Sequence, residues 1–177
     1  TAADAKGLLK AAIQNPNPVV FLEHERLYGE MGDVPESVDY VEEIGKAKIL
    51  KEGTDITLIG YSISTMKALQ AAEQLEKQGI SAEVLDLRSL RPLDTDAIVE
   101  SIAKTHKAMV IEETWAFAGV GSAIMAEISD HAWDELDAPV VRLSHKDVPM
   151  PYAKELEAAA LPQVDDIVAK AMEMMGV

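Results

Sequence analysis

DITLIGYS (Asp55–Ser62), the run from Ser64 to Gln78 and AEVLDLR (Ala82–Arg88) together form the stretch whose reading decides the fold. The outer two segments are short, aliphatic and barely interrupted by polar residues, as strands buried on both faces are. Between them Ala68, Leu69, Ala72 and Leu75 recur at helical spacing, with Ser64 as the expected N-cap and Gly79 as the C-terminal stop. Strand, helix, strand in that order is a crossover unit, and the pattern continues downstream. A helix from Asp94 carries Ile98 and Ile102, KAMVIEE (Lys107–Glu113) is a strand, and Gly121 to about Ala132 is a helix with Ile124 and Ile128 inward. PVVRLS (Pro139–Ser144) is a strand. The last helix is expected to open with Pro162, to carry Asp165 and Asp166 against the macrodipole, and to bury Val164, Ile167, Val168 and Ala171. Upstream, GKAKIL (Gly45–Leu50) reads as a strand joined to DITLIGYS across Glu52 and Gly53. That link is too short for a crossover helix, so one edge strand should be antiparallel. The fold class is α/β, an open three-layer sandwich on a mostly parallel five-stranded sheet.

The front of the chain does not follow this rhythm. Residues 4–14 read as the end of a helix and PVVFLEH (Pro18–His24) as a buried strand, whereas Glu25 to Glu43 has no convincing period. An irregular stretch of that length is uncommon inside a compact domain. The expected division is therefore 1–24 as the last helix and strand of an upstream domain, 25–44 as a linker, and 45–177 as the main domain. TAADAKGLLKAAIQN at the start contains an acid and has no cleavage-site pattern, so it reads as an amphipathic helix and not as a signal peptide.

Composition narrows the function classes. Hydrophobic residues make up 48% of the chain, and no apolar run approaches the roughly 18 residues needed to cross a bilayer, so no membrane partner is expected. Without cysteine there is no disulfide framework, thiolate metal site or cysteine nucleophile. Sixteen basic residues against 31 acidic ones give a net charge of −15, which argues against a nucleic-acid groove. The acids cluster between Glu30 and Glu43 and between Glu127 and Asp137, without Lys or Arg in either run. Each cluster is either a solvated face or a surface that steers a basic partner.

Longer segments carry a resemblance. GLLKAAIQNPNPVVFLEHERLYG (Gly7–Gly29), WAFAGVGSAI (Trp115–Ile124), LDAPVVRLSHKDVPMPYAKELE (Leu136–Glu157) and LPQVDDIV (Leu161–Val168) follow one another in the order found in beta subunits of thiamine-diphosphate-dependent 2-oxoacid dehydrogenases. The chain resembles that family throughout, most closely the pyruvate dehydrogenases. The resemblance implies the transketolase-type C-terminal domain for residues 45–177, in a subunit nearly twice this length. It also implies a heterotetramer of two alpha and two beta subunits, with thiamine diphosphate and magnesium held between them. That enzyme decarboxylates a 2-oxoacid and passes the acyl fragment to a lipoyl arm. The beta-side groups around the cofactor belong to the front domain and match nothing in residues 1–177. No catalytic or cofactor-binding residue is therefore assigned, and the segment alone is expected to be inactive and to bind no thiamine diphosphate. The implied location is a bacterial cytoplasm or a mitochondrial matrix. Branched-chain 2-oxoacid and acetoin dehydrogenases are the near alternatives; a stand-alone α/β metabolite-binding or assembly module is the distant one.

Two sites follow from the resemblance. A structural potassium ion is expected at the end of the opening helix, on the carbonyls of Ala12 and Ile13 with oxygen from Asn15 and Asn17, where free helix-end carbonyls suit a hard cation. The alternative is a plain helix stop with two turn-forming asparagines. The peripheral subunit-binding domain of the dihydrolipoyl acyltransferase is expected to dock through Asp137 and the Val177 carboxylate, at the end of the second acidic run.

Other residue patterns promise less. Gly119-Val-Gly121 lacks the third glycine of a dinucleotide fingerprint, with Ile124 beyond it, and reads as a tight turn bringing a helix onto the sheet. Glu23 and Glu25 would share one face of a strand and pair with cations at a subunit interface. His131 sits among Glu127, Asp130, Asp134 and Glu135, too few defined ligands for a zinc site. There is no G-x-S-x-G elbow. Arg88 and Arg91 follow a strand end; they either hold an anion or a neighbouring subunit, or pair with Asp86 and Asp94.

Overall fold

In the computed structural model, which describes residues 1–177, five strands form one sheet. They are β1 (Lys48–Lys51), β2 (Ile56–Gly60), β3 (Ala82–Asp86), β4 (Ala108–Trp115) and β5 (Val141–His145), in the spatial order β1-β3-β2-β4-β5. β2 to β5 run parallel and β1 is the antiparallel edge. The expected antiparallel edge is present, but β1 pairs with β3 and not with its sequence neighbour β2.

The reason lies at Gly53. A Cβ there would stand 2.1 Å from the Glu83 nitrogen and 2.2 Å from the Ala82 carbonyl carbon. The link thus passes against the start of β3, leaving β1 on one side of it and β2 on the other. Ser81 O accepts from the backbone N–H groups of Thr54 (3.0 Å) and Asp55 (2.9 Å), and the Ser81 N–H donates to Asp55 Oδ2 at 2.7 Å. Only a residue without a side chain permits so close a backbone crossing.

Helices α1 (Ala2–Gln14), α2 (Ile63–Glu76), α3 (Thr95–Thr105), α4 (Val120–His131), α5 (Lys154–Ala160) and α6 (Val164–Met175) complete the fold. Alternation along the strands separates two cores. Ile56, Leu58, Ala82 and Val84 meet α2 and α6 on one face, whereas Ile59, Leu85 and Leu87 meet α3 and α4 on the other. On the second face lies a fully buried acid, Glu83, held by the Ser101 hydroxyl and by Lys104 of α3. Thr57 beside it bonds Ser101 at 2.8 Å and Thr105 at 2.7 Å.

Several expected boundaries move. The cap of α2 is Ser62, while Ser64 is buried inside the first turn. α6 starts after Pro162, with Gln163 as N-cap in a reciprocal box with Asp166; the Pro162 carbonyl instead accepts from Lys67 at 2.7 Å. α5 was not anticipated because its run of Ala and Glu offers little apolar period. The expected strand at Pro18–His24 does not form: the segment has no regular structure, with Val20 85% and Leu22 81% exposed, and leads into a 3-10 turn at Glu25–Gly29. A strand needs a neighbour for its backbone groups, and none lies beside it here. The shared-face argument for Glu23 and Glu25 falls with it; Glu23 accepts from the Tyr28 hydroxyl at 3.1 Å.

Candidate functional site

The helices after β2 and β4 leave the sheet on opposite faces, so a crevice opens between the C-terminal ends of these neighbouring strands. Open α/β sheets place ligands at such switch points. Backbone conformation marks the same edge. Ser62 (φ 55°), Arg88 (φ 52°) and Ala118 (φ 58°), following β2, β3 and β4, all take the left-handed region without being glycine.

Carboxylates dominate the crevice. Glu112, with no solvent exposure, accepts from the Gly121 N–H at 2.8 Å and from the Tyr61 hydroxyl at 3.3 Å, and faces Arg142 Nε at 3.3 Å. Burial first, and then the Glu112 charge, push the Tyr61 phenol well above its ordinary value. Next to it Glu113 binds Lys67 at 2.6 Å and His24 at 3.2 Å, joining the front segment to β4 and α2. The Gly119 to Gly121 turn is thereby explained: a Cβ on Gly121 would stand 2.5 Å from Glu112 Oε1 and 2.6 Å from Arg142 Cδ. The N–H that a phosphate would need is already bonded to a protein carboxylate.

At the end of β3, Arg88 turns inward. Its guanidinium reaches Asp4 of α1 at 3.0 Å, Glu42 at 2.9 Å and the Lys46 carbonyl at 3.0 Å. Neither carboxylate was the expected partner. Asp86 accepts only from the Arg88 backbone N–H (3.2 Å) and Thr65 (3.3 Å), while Asp94 caps α3 and pairs with Lys46 at 3.7 Å. Burial raises the Asp86 carboxyl above its ordinary value. Burial also pulls Asp4 upward, but Thr1, Arg88, the chain's amino group and Lys48 outweigh it and hold Asp4 low. Glu42 is held low by the Tyr40 hydroxyl and Arg88. Arg91 is exposed. This clamp was not legible in advance, since Asp4 and Glu42 are far from Arg88 along the chain.

The expected potassium ligands lie together at the end of α1. The Asn15 N–H donates to the carbonyls of Ala11 (3.0 Å) and Ala12 (3.3 Å), Asn15 Oδ1 accepts from the Asn17 N–H at 3.0 Å, and Ile13 is 75% exposed. Asp137 and Val177 are both exposed, and the Asp137 N–H donates to the His106 carbonyl at 2.9 Å, at the edge where β4 begins. α6 starts beside Lys67, whose amino group donates to the Pro162 carbonyl, and Val177 follows its end. His131 approaches Glu127 at 3.5 Å, and no group of three or more His, Asp or Glu side chains converges on a common point. One cavity, of about 480 Å³, is bounded by Thr95, Asp96, Val99, Glu100 and His131. Another, of about 220 Å³, is bounded by Glu113, Thr114, Trp115, His145 and Met150.

Comparison with known proteins covers nearly all of the chain. Residues 45–167 match the family profile described as transketolase, C-terminal domain. The pyruvate dehydrogenase E1 component subunit beta of Rhizobium meliloti is 49% identical over 168 residues, 95% of this chain and 36% of that protein. The mitochondrial E1 beta subunits of Caenorhabditis elegans and Drosophila melanogaster are 52% and 50% identical, over 95% and 99% of this chain and 49% of each of theirs. Thus the chain spans about half the length, or less, of these curated relatives. Among solved structures, a split-gene transketolase, described as an inactive beta4 tetramer, superposes with a TM-score of 0.65 at 37% identity over 79% of this chain and 45% of its own.

Proposed function

This chain belongs to the transketolase C-terminal domain family, and we propose that it serves as the C-terminal part of the beta subunit of a pyruvate dehydrogenase E1 component. The observation that carries the reading is the roughly half identity to E1 beta subunits across almost the whole chain. In that role residues 45–177 form the C-terminal domain, residues 25–44 the linker, and residues 1–24 the end of the pyrimidine-binding domain before it. The exposure of Val20 and Leu22, and of Phe117 and Tyr152 at the strand ends, supports contacts with further protein. The partners are the alpha subunit and a second beta subunit in a heterotetramer.

In the whole enzyme thiamine diphosphate, with magnesium, supplies the carbanion chemistry that decarboxylates the 2-oxoacid. The residues of this segment do not fit it. The two cavities described above are bounded by carboxylates and by no Lys or Arg, the wrong lining for a diphosphate, and the Gly121 N–H is already bonded to Glu112. The segment's own contribution is assembly and docking. Asp137 and the Val177 carboxylate, both exposed, suit the basic peripheral subunit-binding domain of the acyltransferase, and the carbonyls of Ala12 and Ile13 with Asn15 and Asn17 form the potassium site once the preceding domain adds its ligand. The location that goes with this role is a bacterial cytoplasm or a mitochondrial matrix; the relatives include a bacterial protein and mitochondrial ones.

The test is to co-express the full-length gene product with an E1 alpha subunit and to measure pyruvate-dependent acetylation of lipoyl domains. A stable complex active on pyruvate is expected. A complex preferring branched-chain 2-oxoacids would shift the substrate assignment, and failure to bind any alpha subunit would refute the reading. Calorimetry of residues 1–177 with magnesium and thiamine diphosphate should give no heat of tight binding.

A further inference from the structure

The front segment of the chain is tied to the C-terminal edge of the sheet at two points. Asp4 of α1 binds Arg88 at 3.0 Å, at the end of β3, and His24 binds Glu113 at 3.2 Å, at the end of β4. In the sheet β2 separates these strands, so their ends stand about 10 Å apart, and β5 comes next beyond β4. Past the second tie the edge is apolar and uncovered. Glu113 shares the rim of the cavity of about 220 Å³ with Trp115 and Met150. Trp115 is 49% exposed, Met150 51%, Phe117 88% and Tyr152 104%, a grouping of large apolar side chains that marks a contact surface. The surface is preformed. Trp115 Nε1–H donates to the Val148 carbonyl at 3.0 Å, and Arg142 donates to the Ala116 carbonyl and the Ser122 hydroxyl, so the loop bearing Phe117 is held by the domain itself.

The occupant is set by what is attached beside this surface. Val19, Val20, Phe21 and Leu22 have the composition of a strand and no strand partner, with Val20 85% and Leu22 81% exposed. As the last strand of a preceding domain they take a neighbour about 4.8 Å to the side. Leu22 stands two residues, or about 7 Å of extended chain, before the tie at His24. A domain of about this chain's size has a radius of gyration of about 16 Å. From the tie at Glu113, the body of such a domain reaches the ends of β4 and β5 without help from another subunit. Covalent attachment adds an effective concentration of about millimolar, which a separate subunit lacks.

We propose that the apolar surface of Trp115, Phe117, Met150 and Tyr152 is the seat of the preceding domain of the same polypeptide; this rests on the reading above, in which residues 1–24 end that domain. The alpha subunit and a second beta subunit are the competing occupants. The test places a photo-crosslinker at the most exposed of the four positions, Tyr152→p-benzoylphenylalanine, in the full-length gene product. The protein is irradiated alone and in complex with an E1 alpha subunit. In both samples the main product should keep the mass of a single chain on a denaturing gel, with the cross-linked peptide lying upstream of Thr1. A band at the summed mass of alpha and beta, or at twice the beta mass, overturns the proposal in favour of that subunit. Cross-links confined to residues 1–177, or none at all, overturn it in favour of a surface left open. Phe117→p-benzoylphenylalanine should capture the same upstream domain from the neighbouring loop. Failure of the alpha subunit to associate is a separate result, against the assembly reading, since the sample irradiated alone needs no partner.

Discussion

Replacing Arg88 by Met should release α1 from the end of the sheet while leaving the sheet intact. The guanidinium holds Asp4 at 3.0 Å and Glu42 at 2.9 Å, and the side chains of Arg88 and Asp4 are each 6% exposed. Removing one partner of a fully buried pair costs about 3–5 kcal/mol. Two features lower that figure: Asp4 keeps Lys48 at 3.6 Å, and the Glu42 side chain is 21% exposed and can be hydrated. About 2–3 kcal/mol remains, and it falls on the docking of α1, because a 13-residue helix is marginal alone in water. Amide hydrogen exchange would report this as an acceleration of roughly 30- to 150-fold in residues 5–14, at about 1.4 kcal/mol per decade, with β2 and β4 unchanged. Arg88→Lys, which keeps the charge but loses the fork, should give a smaller acceleration. Unchanged exchange in α1, or an equal rise in β2 and β4, would refute the clamp.

Three further outcomes follow from the same structure. Asp4 and Glu42 are held below their ordinary values of 3.8 and 4.5, so their contribution is present above those values and lost as pH falls through the lowered ones; α1 exchange should be slow at pH 5 and should rise steeply only on further acidification, and a release beginning near neutrality would contradict this. Gly53→Ala should destabilise the fold by about 3 kcal/mol or more, since the new Cβ meets the backbone of Ala82 and Glu83, to be read from urea midpoints. Asp137→Ala, or a few residues added after Val177, should weaken binding to the peripheral subunit-binding domain and flatten its salt dependence without altering the circular dichroism; unchanged affinity at low salt removes that site.

Much of the main domain was legible because its signals are local. The buried strand runs, the spacing of Ala68, Ala72 and Leu75, the helix start at Asp94 and the stop at Gly79 act within a few residues, and the structure places each close to where the pattern put it. Pro18–His24 reads as a strand by the same logic but does not form one, because ladder pairing depends on a neighbour that its own composition does not supply. The resemblance alone pointed to Asp137 and Val177, both of which are exposed. Nothing local announced the contacts at the C-terminal ends of the strands. The clamp on Arg88 and the meeting of Glu113 with His24 and Lys67 join residues distant in sequence. The amino-acid order by itself thus determined which segments are strands and, α5 apart, which are helices in residues 45–177, and that most of the sheet is parallel. Tertiary structure alone decided that β1 lies against β3, because the crossing at Gly53 is a contact between backbones, and which charges pair at the strand ends, because charge pairing depends on distance in space.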